Sequence, residues 1–259
     1  MAPRSIWNGS IAFGLVAVPV KLYTATESKT VHFHELHRRD EGRIEHRRFC
    51  SKEDKEVPNS QIAKGYEVSE GEYVLLSKEE VAAADPSRGK VIELEDFVAA
   101  EEIDPVYYDK AYYVGTQDDG EAAYRVLQEA LLRCDRVGIG RFVFHNKEQL
   151  VALRARDDVL TLHTMRFEGE VVSGKDVEVP SPQKKPSKQE VKMAGSLVAS
   201  LETRWRPERH EDTYRASVEK LIQRKSKGQD VEVPARHDNE LAPDLLMAAL
   251  EASVKGGKG

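Results

Sequence analysis

Apolar residues near the start of this chain alternate with polar or small ones, and the alternation changes phase once. Trp7, Ile11, Phe13 and Leu15 set the first register, and Val16, Val18, Val20 and Leu22 set the second. A period of two marks a half-buried strand, and a one-residue slip exchanges the buried face. Gly14 beside the slip and Pro19 after it predict two strand pieces meeting at a bulge or bend, as at a barrel corner. Broken by Gly and Pro, the segment is too short to cross a membrane. It also lacks the basic region and cleavage site of a signal peptide.

Further along, residues 29–49 predict two strands around the polar turn Arg39-Asp40-Glu41-Gly42. Ser77 and Glu80 form a capping box for a short helix that ends before Asp85-Pro86. Strands are predicted over 91–98 and 106–115. Asp118 opens a helix with Ala123, Leu127, Ala130, Leu131 and Cys134 on one stripe and Gly138 past its end. On that stripe Cys134 reads as a buried structural thiol. Strands return over 137–172 as a meander, turning near His145-Asn146-Lys147 and Arg156-Asp157-Asp158.

The proline- and lysine-rich stretch 180–186 is the best boundary in the chain, dividing residues 1–180 from 187–259. Beyond it the pattern turns helical. Ser187 and Glu190 cap one helix; a second carries Tyr214, Val218, Leu221 and Ile222 and stops at Gly228. A last amphipathic helix holds Leu245, Leu246, Ala249 and Leu250. Strands followed by helices predict an α+β fold, either mixed or as a β-domain with a helical arm.

With 259 residues, 40% hydrophobic and 32% charged, the chain has material for one large domain and an appendage. Its only cysteines, Cys50 and Cys134, argue against a disulfide framework and fit a cytoplasmic location. The formal net charge of -6 is unexpected for a nucleic-acid binder, but the charge is unevenly spread. Acids crowd residues 53–109, whereas bases gather at Arg38, Arg39, Arg43, Arg47, Arg48 and Lys52, and again over 184–227. An acidic exterior around a basic lining would admit a polyanion along one path and repel it elsewhere. The competing reading of the 38–52 cluster is an exposed hairpin of mixed charge.

Two groups of residues invite a catalytic or metal reading. His32, His34, His37, His46 and Cys50 are close in sequence, but structural zinc sites use tight Cys/His pairs at recurrent spacing. Ordinary histidines are the preferred reading, and no metal is expected. Glu93 with Glu95, and Asp104 with Asp109, are the carboxylate pairs that a metal-dependent nuclease needs. That enzyme is the rival hypothesis, set against a merely solvated acidic face. No Walker loop, GxGxxG, GxSxG or adenylyl-transfer lysine motif occurs, so neither an active site nor a cofactor is expected. Aromatic residues are sparse near the basic positions, which favours sugar–phosphate contacts over base stacking.

The opening block, Trp7-x-Gly9-x-Ile11-x-Phe13-Gly14-Leu15-Val16-x-Val18-Pro19-Val20-Lys21-Leu22-Tyr23, is similar to that of the bacterial Ku proteins. Further matches follow in order: Phe33 with Leu36-His37, Arg43-Ile44, Lys64-Gly65-Tyr66-Glu67, Phe97-Val98, Ile103-Asp104-Pro105 and Tyr112-Tyr113. The helical end from Asp244 to Leu250 completes them, so the resemblance spans nearly the whole chain. It implies a β-barrel core with an arm, two copies closing a ring around duplex DNA ends in non-homologous end joining. Helices at the C-terminus would complete the protomer. Lys21 and Lys64 lie inside matching blocks, and Arg141, Arg154 and Arg166 alternate with apolar residues in the later strands. With Arg38, Arg39, Arg43, Arg47 and Arg48 they are the expected phosphate contacts. The resemblance also implies recruitment of the ATP-dependent DNA ligase D, for which Leu245, Leu246, Met247 and Leu250 offer an apolar face. The sequence closes on Lys255-Gly256-Gly257-Lys258-Gly259, so no role is expected for the long lysine-rich extension of some relatives.

Overall fold

The computed structural model describes residues 4–77, 80, 90–117, 119–144, 147–179 and 185–229. Met1–Lys29 with His34–Asp176 form one compact unit, and Thr30–Phe33 with Val177–Gly259 a second.

The phase slip near Leu15 is a hairpin, not a bulge or bend. Strands β1 (Trp7–Phe13) and β2 (Val16–Thr24) pair antiparallel from Trp7↔Leu22 to Phe13↔Val16. Only Gly14 and Leu15 join them, and Gly14 takes φ +58°, a left-handed conformation that costs Gly nothing. Such a turn sets Ile11 opposite Val18, and both are fully buried. The apolar register skips one residue because Leu15 sits at the tip, fully exposed.

Residues 29–49 make the turn that was expected but almost none of the strands. His37 N–H donates to the Gly42 carbonyl at 2.7 Å, and Leu36↔Arg43 is a single isolated bridge. Nearly every side chain here is exposed, so no buried face rewards extension of the ladder. Two miniature sheets follow. Strands β3 (Phe49–Cys50) and β4 (Lys55–Glu56) form one; β5 (Lys64–Ser69) and β6 (Glu72–Leu76) form the other. The Ser77–Glu80 capping box is present, Glu80 N–H donating to Ser77 Oγ at 3.1 Å. The remainder of its expected helix lies outside the described residues.

The barrel is completed by β7 (Val91–Val98), β8 (Tyr108–Thr116), β9 (Val137–Phe144), β10 (Lys147–Arg156) and β11 (Val159–Met165). Their order is β1-β2-β8-β11-β10-β9-β7, and β7 closes on β1 in parallel through Ser10↔Val91 to Ala12↔Glu93. Inward side chains fill the interior, among them Val20, Leu22, Ile92, Phe142, Leu153 and Leu162, all at most 2% exposed. It is a packed core, not a channel. Gly140 lets β7 approach β9 closely, since a Cβ there would stand 2.1 Å from the Glu93 carbonyl oxygen.

Because β9, β10 and β11 lie between β7 and β8, the β7–β8 connection must cross them on the outside. Short 3₁₀ turns at Ala100–Glu102 and Pro105–Tyr107 carry it. Val137, Ala152 and Met165 are buried beneath Ile103, Tyr107 and Tyr108. That second apolar layer explains why Val151, Ala152 and Leu153 are all fully buried in succession.

Helix α1 (Glu121–Cys134) packs on the barrel through Tyr124, Leu127, Gln128 and Leu131. This corrects the expected stripe: Ala130 and Cys134 are exposed. Cys134 stands roughly 60–70° round the helix from the centre of the buried face, by the 3.6-residue period. The helix ends at Asp135, which adopts φ 49°, and Gly138, past that end as expected, lies within β9. In the second unit, α2 (Lys188–Ser200) starts at the predicted Ser187–Glu190 capping box. Helix α3 (Thr213–Ser226) gives way to Gly228 at φ 70°. Neither helix has a buried residue, and Val198, Leu201 and Tyr214 are exposed.

Candidate nucleic-acid interface

The cations picked out from sequence fall into two sets. Arg38, Arg39, Arg43, Arg47, Arg48 and Lys64 are all exposed on the segment between β2 and β6. Lys21, Arg141, Arg154 and Arg166 belong to the barrel. Lys21 pairs opposite Asn8 and Gly115, on the face away from Leu22 and Val20. Alternation puts Arg141 and Arg154 outside too, since their neighbours Phe142 and Leu153 point into the core. The two sets share no single strand or turn, so the sequence grouping is only partly spatial.

Ion pairing separates these cations further. Arg47 lies 3.2 Å from Glu56 and 3.5 Å from Glu45, and the charge of Glu56 above all raises its pKa. Arg141 meets Glu95 at 3.6 Å, and Arg166 meets Asp109 at 3.2 Å. Each of these arginines already has a carboxylate, so a phosphate must compete for it. Among the described residues no carboxylate lies within ion-pair distance of Lys21, Arg38, Arg39, Arg43, Arg48, Lys64 or Arg154. Arg43 is held instead by His34 Nδ1 at 3.2 Å, and Arg48 donates to the Asn59 side-chain oxygen. Neither partner brings a negative charge to cancel that of the guanidinium.

Local backbone structure fixes Arg48 as well. Its carbonyl accepts the Val57 N–H at 2.8 Å, closing the loop that contains β3 and β4, and Asp54 turns that loop with φ 51°. The turn bearing Arg38 and Arg39 is braced by Asp40, which accepts from Gly42 N–H at 3.0 Å and lies 2.8 Å from His37 Nδ1. Those hydrogen bonds, the Gly42 bond foremost, hold the Asp40 carboxyl below its ordinary pKa.

The same contacts bear on the metal and nuclease readings. His34, His37 and His46 are engaged with Arg43, Asp40 and Glu35 respectively. Among the described residues no group of three or more His, Cys, Asp or Glu side chains is placed to hold a metal ion. The carboxylate pairs do not act as pairs. Glu95 serves Arg141, Asp109 serves Arg166, and Asp104 caps a turn by accepting Val106 N–H at 2.9 Å.

The sequence reading missed the hairpin β5–β6 as an element. Every residue of both strands is exposed, Tyr66 to 68% and Leu75 to 67%, on a ladder from Lys64↔Leu76 to Ser69↔Glu72. Alternating Tyr66 and Val68, then Tyr73 and Leu75, across the turn at Gly71 was the available signal. A lone two-stranded sheet is marginal in water, and apolar surface on both faces marks a contact region.

The family model for the Ku70/Ku80 beta-barrel domain matches residues 12–193, spanning nearly all of the barrel, both small sheets and the start of α2. The chain belongs to the Ku family. It is 43% identical over 256 residues to the non-homologous end joining protein Ku of Anaeromyxobacter sp. (strain K), covering 98% of this chain and 86% of that one. The protein of the same name from Koribacter versatilis (strain Ellin345) is 37% identical over 254 residues, covering 98% and 87%. That of Mycolicibacterium smegmatis is 38% identical over 270 residues, covering 99% and 83%. Family membership agrees with the closed barrel and with the α+β class. Among the described residues no helix is long and apolar enough to cross a membrane.

Proposed function

We propose that this chain is a non-enzymatic, sequence-independent binder of double-stranded DNA ends in non-homologous end joining, active as a homodimer in the cytoplasm at the nucleoid. The observation that carries this reading is a charge imbalance. A chain of net charge -6 presents Arg38, Arg39, Arg43, Arg48 and Lys64 on one exposed segment without carboxylate partners among the described residues. The relatives' shared name, non-homologous end joining protein Ku, supports the same reading. Lys21 adds a barrel contact, while Arg47, Arg141 and Arg166 contribute less because each is already paired. Phosphate contacts of this kind carry no base sequence. No cofactor is required.

The dimer is supported by the unburied apolar residues of β5–β6, α2 and α3. A partner protomer would cover them. Comparing linear duplex with closed-circular DNA of identical sequence tests the reading. Linear DNA is expected to be bound and circles ignored; equal affinity for both would rule out a threaded ring. Light scattering should show a dimer at low micromolar concentration.

Recruitment of the ATP-dependent DNA ligase D is the finer part of the proposal. Its apolar face at Leu245, Leu246, Met247 and Leu250 lies outside the described residues. Deleting residues 241–259 is expected to leave end binding intact and abolish stimulation of the ligase. Loss of end binding, or a sharply earlier thermal melt, would instead assign this segment to the fold.

A further inference from the structure

Where the β7–β8 connection passes over the outside of the barrel, it leaves a cavity of about 330 Å³. Pro105 and Tyr108 wall it, buried Val137 and Ala152 line it, and Arg154 and His163 complete it. Register alone brings the last two together. Ala152 and Arg154 lie two residues apart on one face of β10, and His163 pairs directly opposite Ala152.

The chemistry of this cavity is unlike that of the exposed arm. The His163 ring meets Tyr108 edge-on, with centroids 5.3 Å apart. Burial, and then the charge of Arg154, push its pKa below the ordinary 6.5, so the imidazole is neutral at pH 7. Among the described residues, Arg154 supplies the one positive charge lining the cavity. Arg141 and Arg166 have Glu95 and Asp109, but among the described residues Arg154 has no carboxylate. An apolar recess with a single unpaired cation fits an occupant that is itself apolar and singly acidic.

A DNA backbone does not meet that description. Phosphates on a convex duplex would find Arg154 and one imidazole and otherwise the Pro105 and Tyr108 rings, losing hydration with few replacement hydrogen bonds. A volume near 300 Å³ lies at the small end for ligand pockets and accommodates one large side chain with its immediate neighbour. We propose that this cavity is a docking pocket for a protein segment in which a large apolar side chain is followed by Asp or Glu. The apolar group rests against Pro105 and Tyr108, above the buried Val137 and Ala152, and the carboxylate pairs with Arg154. Arg154, which the sequence pattern offered to phosphate, is thereby assigned to a protein partner. This assignment stands independently of how the arm binds DNA.

The test uses the full chain with 13C-labelled histidine, the His163 signal being identified by its loss in His163→Gln. The probes are acetyl-Gly-Phe-Asp-Gly-amide and its Asn analogue. The Asp peptide is expected to shift the His163 signal saturably and to bind roughly tenfold tighter than the Asn peptide, the size of one charge-assisted contact. Arg154→Ala, at an exposed position, is expected to erase that preference. Equal binding of the two peptides, or a preference that survives Arg154→Ala, overturns the proposal. So does the absence of any shift. A 5′-phosphorylated blunt duplex that moves the His163 signal when neither peptide does would overturn it too, by giving the cavity to DNA.

Discussion

Replacing Tyr124 by Phe is expected to destabilise the barrel by about 3 kcal/mol, although the change removes one oxygen atom. The Tyr124 hydroxyl donates to the Val114 carbonyl and accepts from Leu160 N–H, both at 2.8 Å. Val114 and Leu160 are register partners on β8 and β11, so the hydroxyl stands within that ladder. Phe keeps the packing of a ring that is only 7% exposed but leaves two buried backbone groups without partners. Each such group costs about 1–3 kcal/mol. Thermal melting should record a fall in Tm of roughly 6–12 °C, at 2–4 °C per kcal/mol for a domain of this size. Tyr113→Phe is the control, since Tyr113 is 46% exposed. A Tyr124→Phe protein melting within a degree of the parent would mean that the strands close up and bond directly.

The role of Tyr124 shows what kind of information a sequence leaves out. Period-two patterns located the barrel strands, because one face of each is buried and the other is not. The same patterns failed where neither face is buried, as over residues 29–49, and where the two apolar registers were joined by a two-residue hairpin. Cys134 was misplaced for a related reason. A helical period defines a stripe but not its width, and the barrel accepts only Tyr124, Leu127, Gln128 and Leu131. Closure of β7 on β1, and the crossing of the β7–β8 connection over three strands, depend on pairing between residues far apart in the chain. Local periodicity carries no such term.

At the candidate site, sequence identified the cations but not their compensation. Arg47 and Arg48 are adjacent, yet one is held between two glutamates and the other by a neutral amide. Glu56, nine positions from Arg47, reaches it only because β4 returns antiparallel to β3. The cavity at Arg154 was equally hidden, because Pro105, Val137 and His163 meet only once the β7–β8 connection crosses β9, β10 and β11.

Substituting Arg38, Arg39, Arg43 and Arg48 together by Ala should therefore have the largest effect on DNA binding. Each phosphate contact contributes about 0.9 to the slope of log K against log salt, so losing four flattens the slope by roughly 3–4. At 0.1 M salt the same dependence predicts a loss in affinity on the order of a thousandfold. All four side chains are exposed, so the melting temperature should move little. Titrating a short blunt duplex between about 50 and 200 mM salt measures both quantities. Arg47→Ala makes the sharper comparison. Its removal exposes Glu45 and Glu56, so affinity should weaken modestly through repulsion. The slope should hardly change, because Arg47 releases no counterion that its carboxylates had not already displaced. If Arg47→Ala flattens the slope as much as Arg48→Ala does, the ion pairs open on binding, and compensation in the free protein does not choose the DNA contacts.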